Sequence, residues 1–437
     1  MNCFEPGQVL ILPSKDDDQR TLGLIGERLN QPFEIIYSIR DVILHYNPDS
    51  KIEDLLSQYG ALPLIVRVPE GQELHFSTQI RSVPEVKTSV PNFRISPAGA
   101  TPIINEQWVA DALKRTNSLP INPSCGAGIR VAILDSGVNP TALASPEALH
   151  PHQFDAESRR DIRSELVPKD EIGHGSIVAH IVNRTAPNAR LLSVKTFAQH
   201  GTVGSLLAAL YLAESIFRPH IYNLSLSVSC DEDTCDVCGS PKTLALNAEQ
   251  LRSLFGFLQS RNASSETYPL LVAAAGNNRS RLSMPAAFPN VIAIGSYDIE
   301  ENREAEYSRY TAVPTERFFL APGGNRDVKS AVATGGSGNF DRNPMFFGTS
   351  FATAFVTGIS ARYLCVLQGE GACARHAAGK IDVDVFELIT EILRRTADTS
   401  MQDYTPTRHG GGLARYDGFV AQYLARRCAV RRGTKGP

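Results

Sequence analysis

The sequence is short of cysteine, of net charge and of long apolar runs, and each shortage excludes a class of protein. Eight cysteines in 437 residues are too sparse for a disulfide scaffold. With no export signal in view, reduced thiols are the expected state. Lys and Arg number 43 against 46 Asp and Glu, a formal charge of −3, so no basic field speaks for nucleic acid or an anionic membrane as partner. No uninterrupted apolar run approaches the roughly 18 residues of a membrane span. The first apolar stretch, Val9-Leu10-Ile11-Leu12, is too short for the core of a signal peptide, and acidic residues follow soon after. The expectation is a soluble, cytoplasmic protein, with non-classical export left open.

The chain is otherwise ordinary for a globular protein. Its hydrophobic fraction is 42%, enough for a sizeable core. At roughly 150 residues per domain, its length suggests two or three domains. Residues 1–95 read as a small α/β domain. Strand-like runs fall at Gln8–Leu12, Phe33–Tyr37, Leu62–Val68 and Glu85–Val90, and helical patterns at Gln19–Asn30, Ile52–Tyr59 and Gln72–Arg81. Ser96-Pro-Ala-Gly-Ala-Thr-Pro102 then has linker composition, so 96–124 is expected as linker and processing region, with a helix at Asn105–Thr116. From 125 to 425 short apolar runs alternate with longer helical patterns. The strand candidates are Arg130–Leu134, Arg190–Val194, His220–Leu226, Pro269–Ala275 and Asn290–Ile294. The helix candidates are Ser176–Asn183, Val203–Ser215, Ala248–Gln259 and Phe351–Leu367. This alternation predicts a parallel sheet with helices on both faces, and such sheets place chemistry at the carboxyl ends of their strands. Residues 426–437 read as a basic tail.

Three segments carry the chemistry. Val131-Ala-Ile-Leu-Asp135-Ser-Gly137 is an apolar strand ending in a carboxylate. Gly173-His174-Gly175-Ser176 opens a helix. Phe347-Gly348-Thr349-Ser350-Phe351-Ala352 sets a glycine-flanked serine at the start of a long apolar helix. The order Asp, His, Ser in these contexts resembles the subtilase family of serine peptidases over about residues 125–420. Further segments resemble the family as well. These are Ala186–Lys195, Asn223-Leu-Ser-Leu-Ser227, Ala273-Ala-Ala-Gly-Asn277, Met284–Gly295 and Leu320-Ala-Pro-Gly323.

The resemblance implies a subtilisin-like α/β fold and a division of labour. A serine hydroxyl is a poor nucleophile until an imidazole takes its proton. Ser350 is therefore expected as nucleophile, His174 as general base and then acid, and Asp135 as the group that holds the imidazole tautomer. The resemblance assigns Asn277 as an oxyanion donor together with the Ser350 backbone N–H. Ser225, Leu226 and Ser227 match the strand that pairs with an extended polypeptide substrate. Ala274, Ala275 and Gly276 match the other wall of the pocket for the residue before the cut, with Ser283 a candidate floor and no acid or base marking it. There are departures too. Ser176 replaces the usual threonine, His180 a glycine, Phe351 a methionine and Ala354 a proline, and Ser227-Val228 stands where a glycine pair is usual.

Residues 1–95, ending in Pro84–Phe93, resemble the family's pro-domain. That implies a serine endopeptidase made as a self-inhibited zymogen, with its own N-terminal domain as intramolecular inhibitor. The alternatives are a catalytically inactive binding or regulatory relative and an esterase. The α/β-hydrolase esterases place serine first, in G-x-S-x-G. The resemblance implies no required cofactor and admits calcium. Cys230, Cys235 and Cys238, even with His220, make a weak zinc set, because zinc normally takes four ligands; no metal site is expected there. The charged segment Glu157–Glu171 reads as a solvated loop.

Overall fold

The computed structural model describes residues 4–15, 17–96, 103–122, 125–151, 153–156, 170, 172–198, 201–228, 269–311, 314–325, 332–333, 347–369 and 385–423. The helix expected at Ala248–Gln259, the thiols Cys230, Cys235 and Cys238, most of the charged loop and the basic tail lie outside them.

The N-terminal unit runs β1 (Phe4–Pro13), α1 (Asp18–Leu29), β2 (Glu34–Ser38), α2 (Ile39–Tyr46), α3 (Ile52–Tyr59), β3 (Leu64–Arg67), α4 (Glu73–Arg81) and β4 (Val86–Ser96). Its strands lie in the order β4-β1-β3-β2, all antiparallel, with Leu10 opposite Ile65 on one side and Val90 on the other. Successive side chains of a strand point to opposite faces, and here both faces are apolar. Val9 and Ile11 join Leu22, Ile25, Phe76 and Ile80 of α1 and α4 in one small core. Leu10, Leu12 and Ile65 point the other way, into a larger core shared with the rest of the chain. Helix α2 was absent from the sequence reading. Its signal was a cap: the Ser38 hydroxyl accepts from Asp41 N at 3.2 Å.

The second unit continues with β5 (Ile103–Ile104), α5 (Glu106–Arg115), β6 (Arg130–Asp135), β7 (Phe154–Asp155), α6 (His174–Thr185), β8 (Arg190–Lys195), β9 (Gly201–Thr202) and α7 (Val203–Ile216). Then come β10 (Ile221–Leu224), β11 (Ser227–Val228), β12 (Leu270–Ala274), β13 (Val291–Asp298), β14 (Arg303–Glu304) and β15 (Phe318–Pro322), followed by a long helix, Thr349–Gly369, and a shorter one, Val385–Thr396. The sheet order is β14-β13-β12-β10-β6-β8-β7, with β15 also on β13. All its pairings are parallel except that of β14. The period of two again divides the side chains. Val131, Ile133, Val272 and Ile292 pack under α6 and the Thr349–Gly369 helix. Ala132, Leu134, Leu192 and Leu224 pack under α7. The expected helices on both faces are there, and strand β15 and helix Val385–Thr396 add to them.

One expectation is narrowed. The stretch 96–124 is not all linker. Trp108, Val109, Ala112 and Leu113 of α5 are buried in the second core, where Trp108 meets Phe355 at 6.0 Å between ring centroids. The carbonyl of Ser118 accepts from the buried Arg362 at 2.7 Å. Among the described residues one helix, Thr349–Gln368, is long and apolar enough to cross a membrane, but 89% of its most apolar window is buried inside the fold. Its low polarity reflects a central position between sheet and helices.

Candidate active site

Asp135 is the last residue of β6, at the carboxyl end of the sheet, and is fully buried. His174 is the first residue of α6 and is also buried. The Nδ1 of His174 lies 2.7 Å from Asp135 Oδ1. An ionised carboxylate can only accept, so Nδ1 carries the proton and Nε2 is left to act as base. Gly175 allows the approach. A Cβ there would sit 2.1 Å from the Gly137 carbonyl oxygen and 3.0 Å from Asp135 Cβ.

The turn before α6 is held by Asp170, which sequence reading placed in a solvated loop. Its carboxylate accepts from Gly173 N and Ser136 Oγ with one oxygen, and from Ser176 N and Ser176 Oγ with the other, at 2.6–2.8 Å. The hydroxyl kept by Ser176 also accepts from Asn139 N at 2.8 Å. A carboxylate beside exposed N–H groups at a helix N-terminus is favourable. Burial lowers the basicity of His174. The charge and hydrogen bond of Asp135, with Asp170 behind, outweigh that and hold its pKa above the ordinary 6.5.

Ser350 stands in the first turn of the Thr349–Gly369 helix. Its Oγ donates to the Ser225 carbonyl at 3.0 Å, and Ser225 Oγ donates back to the Ser350 carbonyl at 2.8 Å. The next residue, Phe351, lays its ring 5.7 Å from that of His174. Asn277 follows β12 and meets the same helix start. Its Oδ1 accepts from Thr349 N and Thr349 Oγ1 at 2.9 and 3.0 Å, so its amide N–H₂ is the group left for a ligand. Thr349, which the sequence reading did not single out, also accepts from Gly276 N at 3.1 Å.

A subtilase-family model matches residues 126–412. The chain belongs to the subtilase family. Among its relatives, an alkaline protease of Alkalihalobacillus alcalophilus is 29% identical over 248 residues, 54% of this chain and about half (54%) of its own length. Subtilisin BL of Lederbergia lenta is 29% identical over 248 residues, 76% of its length. The fold is subtilisin-like. The epidermin leader peptide processing serine protease (EpiP) of Staphylococcus aureus superposes with TM-score 0.59 at 15% identity, over 96% of this chain and 99% of that one. Fervidolysin of Fervidobacterium pennivorans, a keratinolytic enzyme related to subtilisin, gives 0.60 at 15%, over 96% and 61%.

In this subtilase two short strands, β9 and β11, flank one further strand. Ser225 and Leu226 are buried, and Ser227 pairs as part of β11. The strand lying there is the chain's own β4. Ser96 and Ile95 pair antiparallel with Ser227 and Val228, and Arg94 and Ile95 pair with Thr202 and Gly201. Ala274 and Ala275, expected in a pocket wall, are buried, and Ser283 donates from both N and Oγ to the Ala275 carbonyl at 2.9 Å. An arginine, which the sequence reading did not single out, stands against Gly276. A Cβ on Gly276, whose φ is +110°, would meet Arg309 Cδ at 2.5 Å. Arg309 is buried, with its NH1 on the Arg281 carbonyl at 2.8 Å. Nothing in the sequence ties a residue 33 positions further on to Gly276.

His180, a departure from the family pattern, is buried within α6. Its Nδ1 faces the Ala142 carbonyl at 2.6 Å and its Nε2 faces Glu106 at 2.9 Å. It ties α6 to its neighbours. His220 accepts from Arg130 N through Nδ1 at 2.9 Å, and burial lowers its pKa to about 4. Among the described residues no group of three or more His, Cys, Asp or Glu converges as a metal site.

Proposed function

We propose that this subtilase is a serine endopeptidase that cuts peptide bonds through an acyl-enzyme on Ser350 and is made self-inhibited by its N-terminal unit. The observation that carries the catalytic reading is the buried 2.7 Å contact of His174 with Asp135, set against the residue that follows Ser350. An extended substrate adds a strand between β9 and β11 and takes the Ser225 carbonyl with a backbone N–H. The Ser350 hydroxyl, displaced from that carbonyl, turns to His174 Nε2.

Attack on the scissile carbonyl passes the proton to His174, and Asp135 stabilises the imidazolium. Asn277 Nδ2 and the Ser350 N–H donate to the oxyanion. His174 then protonates the leaving amine, and water, activated by the same base, releases the acyl group. The inhibitory reading rests on Arg94–Ser96, which already fill the substrate strand's place. Asn92 adds a cap: its Oδ1 accepts from Gly204 N at 2.9 Å, in the first turn of α7.

The test is labelling by a fluorophosphonate, with peptide cleavage, before and after removal of residues 94–96 from the groove. The expected result is labelling that requires Ser350 and rises when the strand is displaced. A wild-type chain that never labels, whatever the state of the strand, identifies an inactive binding module instead.

A further inference from the structure

In the proposed reaction the carbonyl at the cut lies between Ser350 Oγ and Asn277 Nδ2. The side chain of the residue before the cut branches off next to that carbonyl. It therefore lodges against the chain that flanks Asn277. That chain is bare on one side, because the residue before Asn277 is Gly276, buried and with φ +110°.

Arg309 takes up the space that a side chain on Gly276 would need. A Cβ there would stand 2.5 Å from Arg309 Cδ, 2.6 Å from its Nε and 3.2 Å from Ser283 Oγ. The two residues are also joined through the backbone, where Arg309 N donates to the Gly276 carbonyl at 3.1 Å. Beyond the glycine, Nε donates to Asn278 Oδ1 and NH1 to the Arg281 carbonyl at 2.8 Å. Both of these oxygens are neutral. Arg309 is only 8% exposed, whereas Asn278 is exposed, so the side chain runs from the core toward the surface.

The surroundings favour an anion. The segment Ala273–Pro289 carries Arg279 and Arg281 and no Asp or Glu, and Asn223–Val228, which carries Ser225, has no charged residue. Glu304 and Glu306, the acids that precede Arg309 in the chain, pair with Arg408 and Arg303. A cation at low exposure attracts an anion more strongly than it would in water. A guanidinium also matches a carboxylate in shape as well as charge.

We propose that Arg309 sets the choice of substrate: this subtilase cuts after acidic residues, whose side-chain carboxylate replaces Asn278 Oδ1 on the guanidinium. A basic side chain in that place is repelled, and an apolar one gives a buried cation no hydrogen bond. The inference names the substrate class of the same site and rests on the peptidase reading.

The test uses the full-length wild type. Fluorophosphonate labelling that requires Ser350 establishes the nucleophile by itself. The labelling protein then digests a mixture of denatured proteins, and the cut positions are read by mass spectrometry. Two peptides that differ only in Glu or Gln before the cut give kcat/KM for each. Cuts are expected after Glu and Asp, with Glu over Gln by at least tenfold. Arg309→Gln should bring that ratio close to one, whereas a merely structural role would lower both values alike. Should this buried variant fail to fold, Asn278→Asp, at an exposed position, sets a fixed carboxylate on the guanidinium and should abolish the preference in the same way. A labelling enzyme that cuts after apolar, small or basic residues, or whose preference survives Asn278→Asp, overturns this proposal and leaves the peptidase reading standing. A wild type that never labels removes both.

Discussion

The side-chain carbonyl of Asn277 is held by both donors of Thr349, its backbone N–H and its hydroxyl, at 2.9 and 3.0 Å. One residue thereby ties Asn277 to the helix that presents Ser350. Asn277→Leu is expected to lower kcat by roughly 100- to 1,000-fold with little change in KM, the size of one oxyanion donor. Thr349→Val, which leaves the amide loosely aimed, should fall between that variant and wild type, and Thr349→Ser should recover most of the loss. Steady-state kinetics on one peptide substrate checks all three. A Thr349→Val enzyme with wild-type kcat would remove the positioning role.

Asp170 acts on His174 through charge. The imidazole must be neutral to accept the serine proton, so the acid limb of kcat/KM follows the pKa of His174, which is held above 6.5. Replacing Asp170 by Asn removes one of the influences that raise it. The acid limb is expected to move to lower pH, measured as kcat/KM between about pH 5 and 9. A limb that stays in place would show that Asp170 only shapes the turn. The fold also gains from protonating His174. That contribution is full below the unfolded value near 6.5 and disappears as pH rises through the higher folded value.

Glu304 is a buried acid remote from the chemistry. Burial raises its pKa to about 7 although Arg408 Nε lies 2.5 Å away. Its folded pKa exceeds the ordinary 4.5, so the folded chain binds the extra proton and stability falls as pH rises from about 4.5 to 7. A shift of that size corresponds to roughly 3 kcal/mol. Glu304→Gln should flatten this part of the profile, read from urea unfolding at pH 5 and pH 8. An equal pH dependence in both proteins would contradict the assignment.

Gly276 is expected to resist any side chain. At φ +110° an alanine is strained, and its Cβ would displace Arg309. Gly276→Ala should cost about 1–3 kcal/mol of stability and raise KM by disturbing the wall beside Ser283. Thermal unfolding and KM for a single peptide check this. A variant as stable as wild type would mean that Arg309 moves aside freely.

Much of the frame was legible because short apolar runs and helix starts are local. Val131–Leu134 announced the strand that ends at Asp135, and the glycines around His174 and Ser350 announced helix starts. The Gln8–Leu12 run was read correctly as a strand, but its meaning was hidden. Four consecutive apolar residues show that both faces are covered without saying by what. Asp170 looked like one more charge in a charged loop, because its four donors come from Ser136, Gly173 and Ser176. Trp108 and Leu113 looked like part of a connection, because the core that receives them reaches to Phe355, more than 200 positions from Trp108.

The chain by itself therefore determined many of the strands and helices, and that the carboxylate, imidazole and hydroxyl stand at the ends of three of them. Periodicity and capping act over a few residues. Tertiary structure alone decided that Thr349 orients Asn277, that Arg309 backs Gly276, and that α7 has its outer face covered by the N-terminal sheet. Those contacts join residues far apart in sequence. Their energy comes from burial and hydrogen bonds that exist only once the sheets and helices have packed.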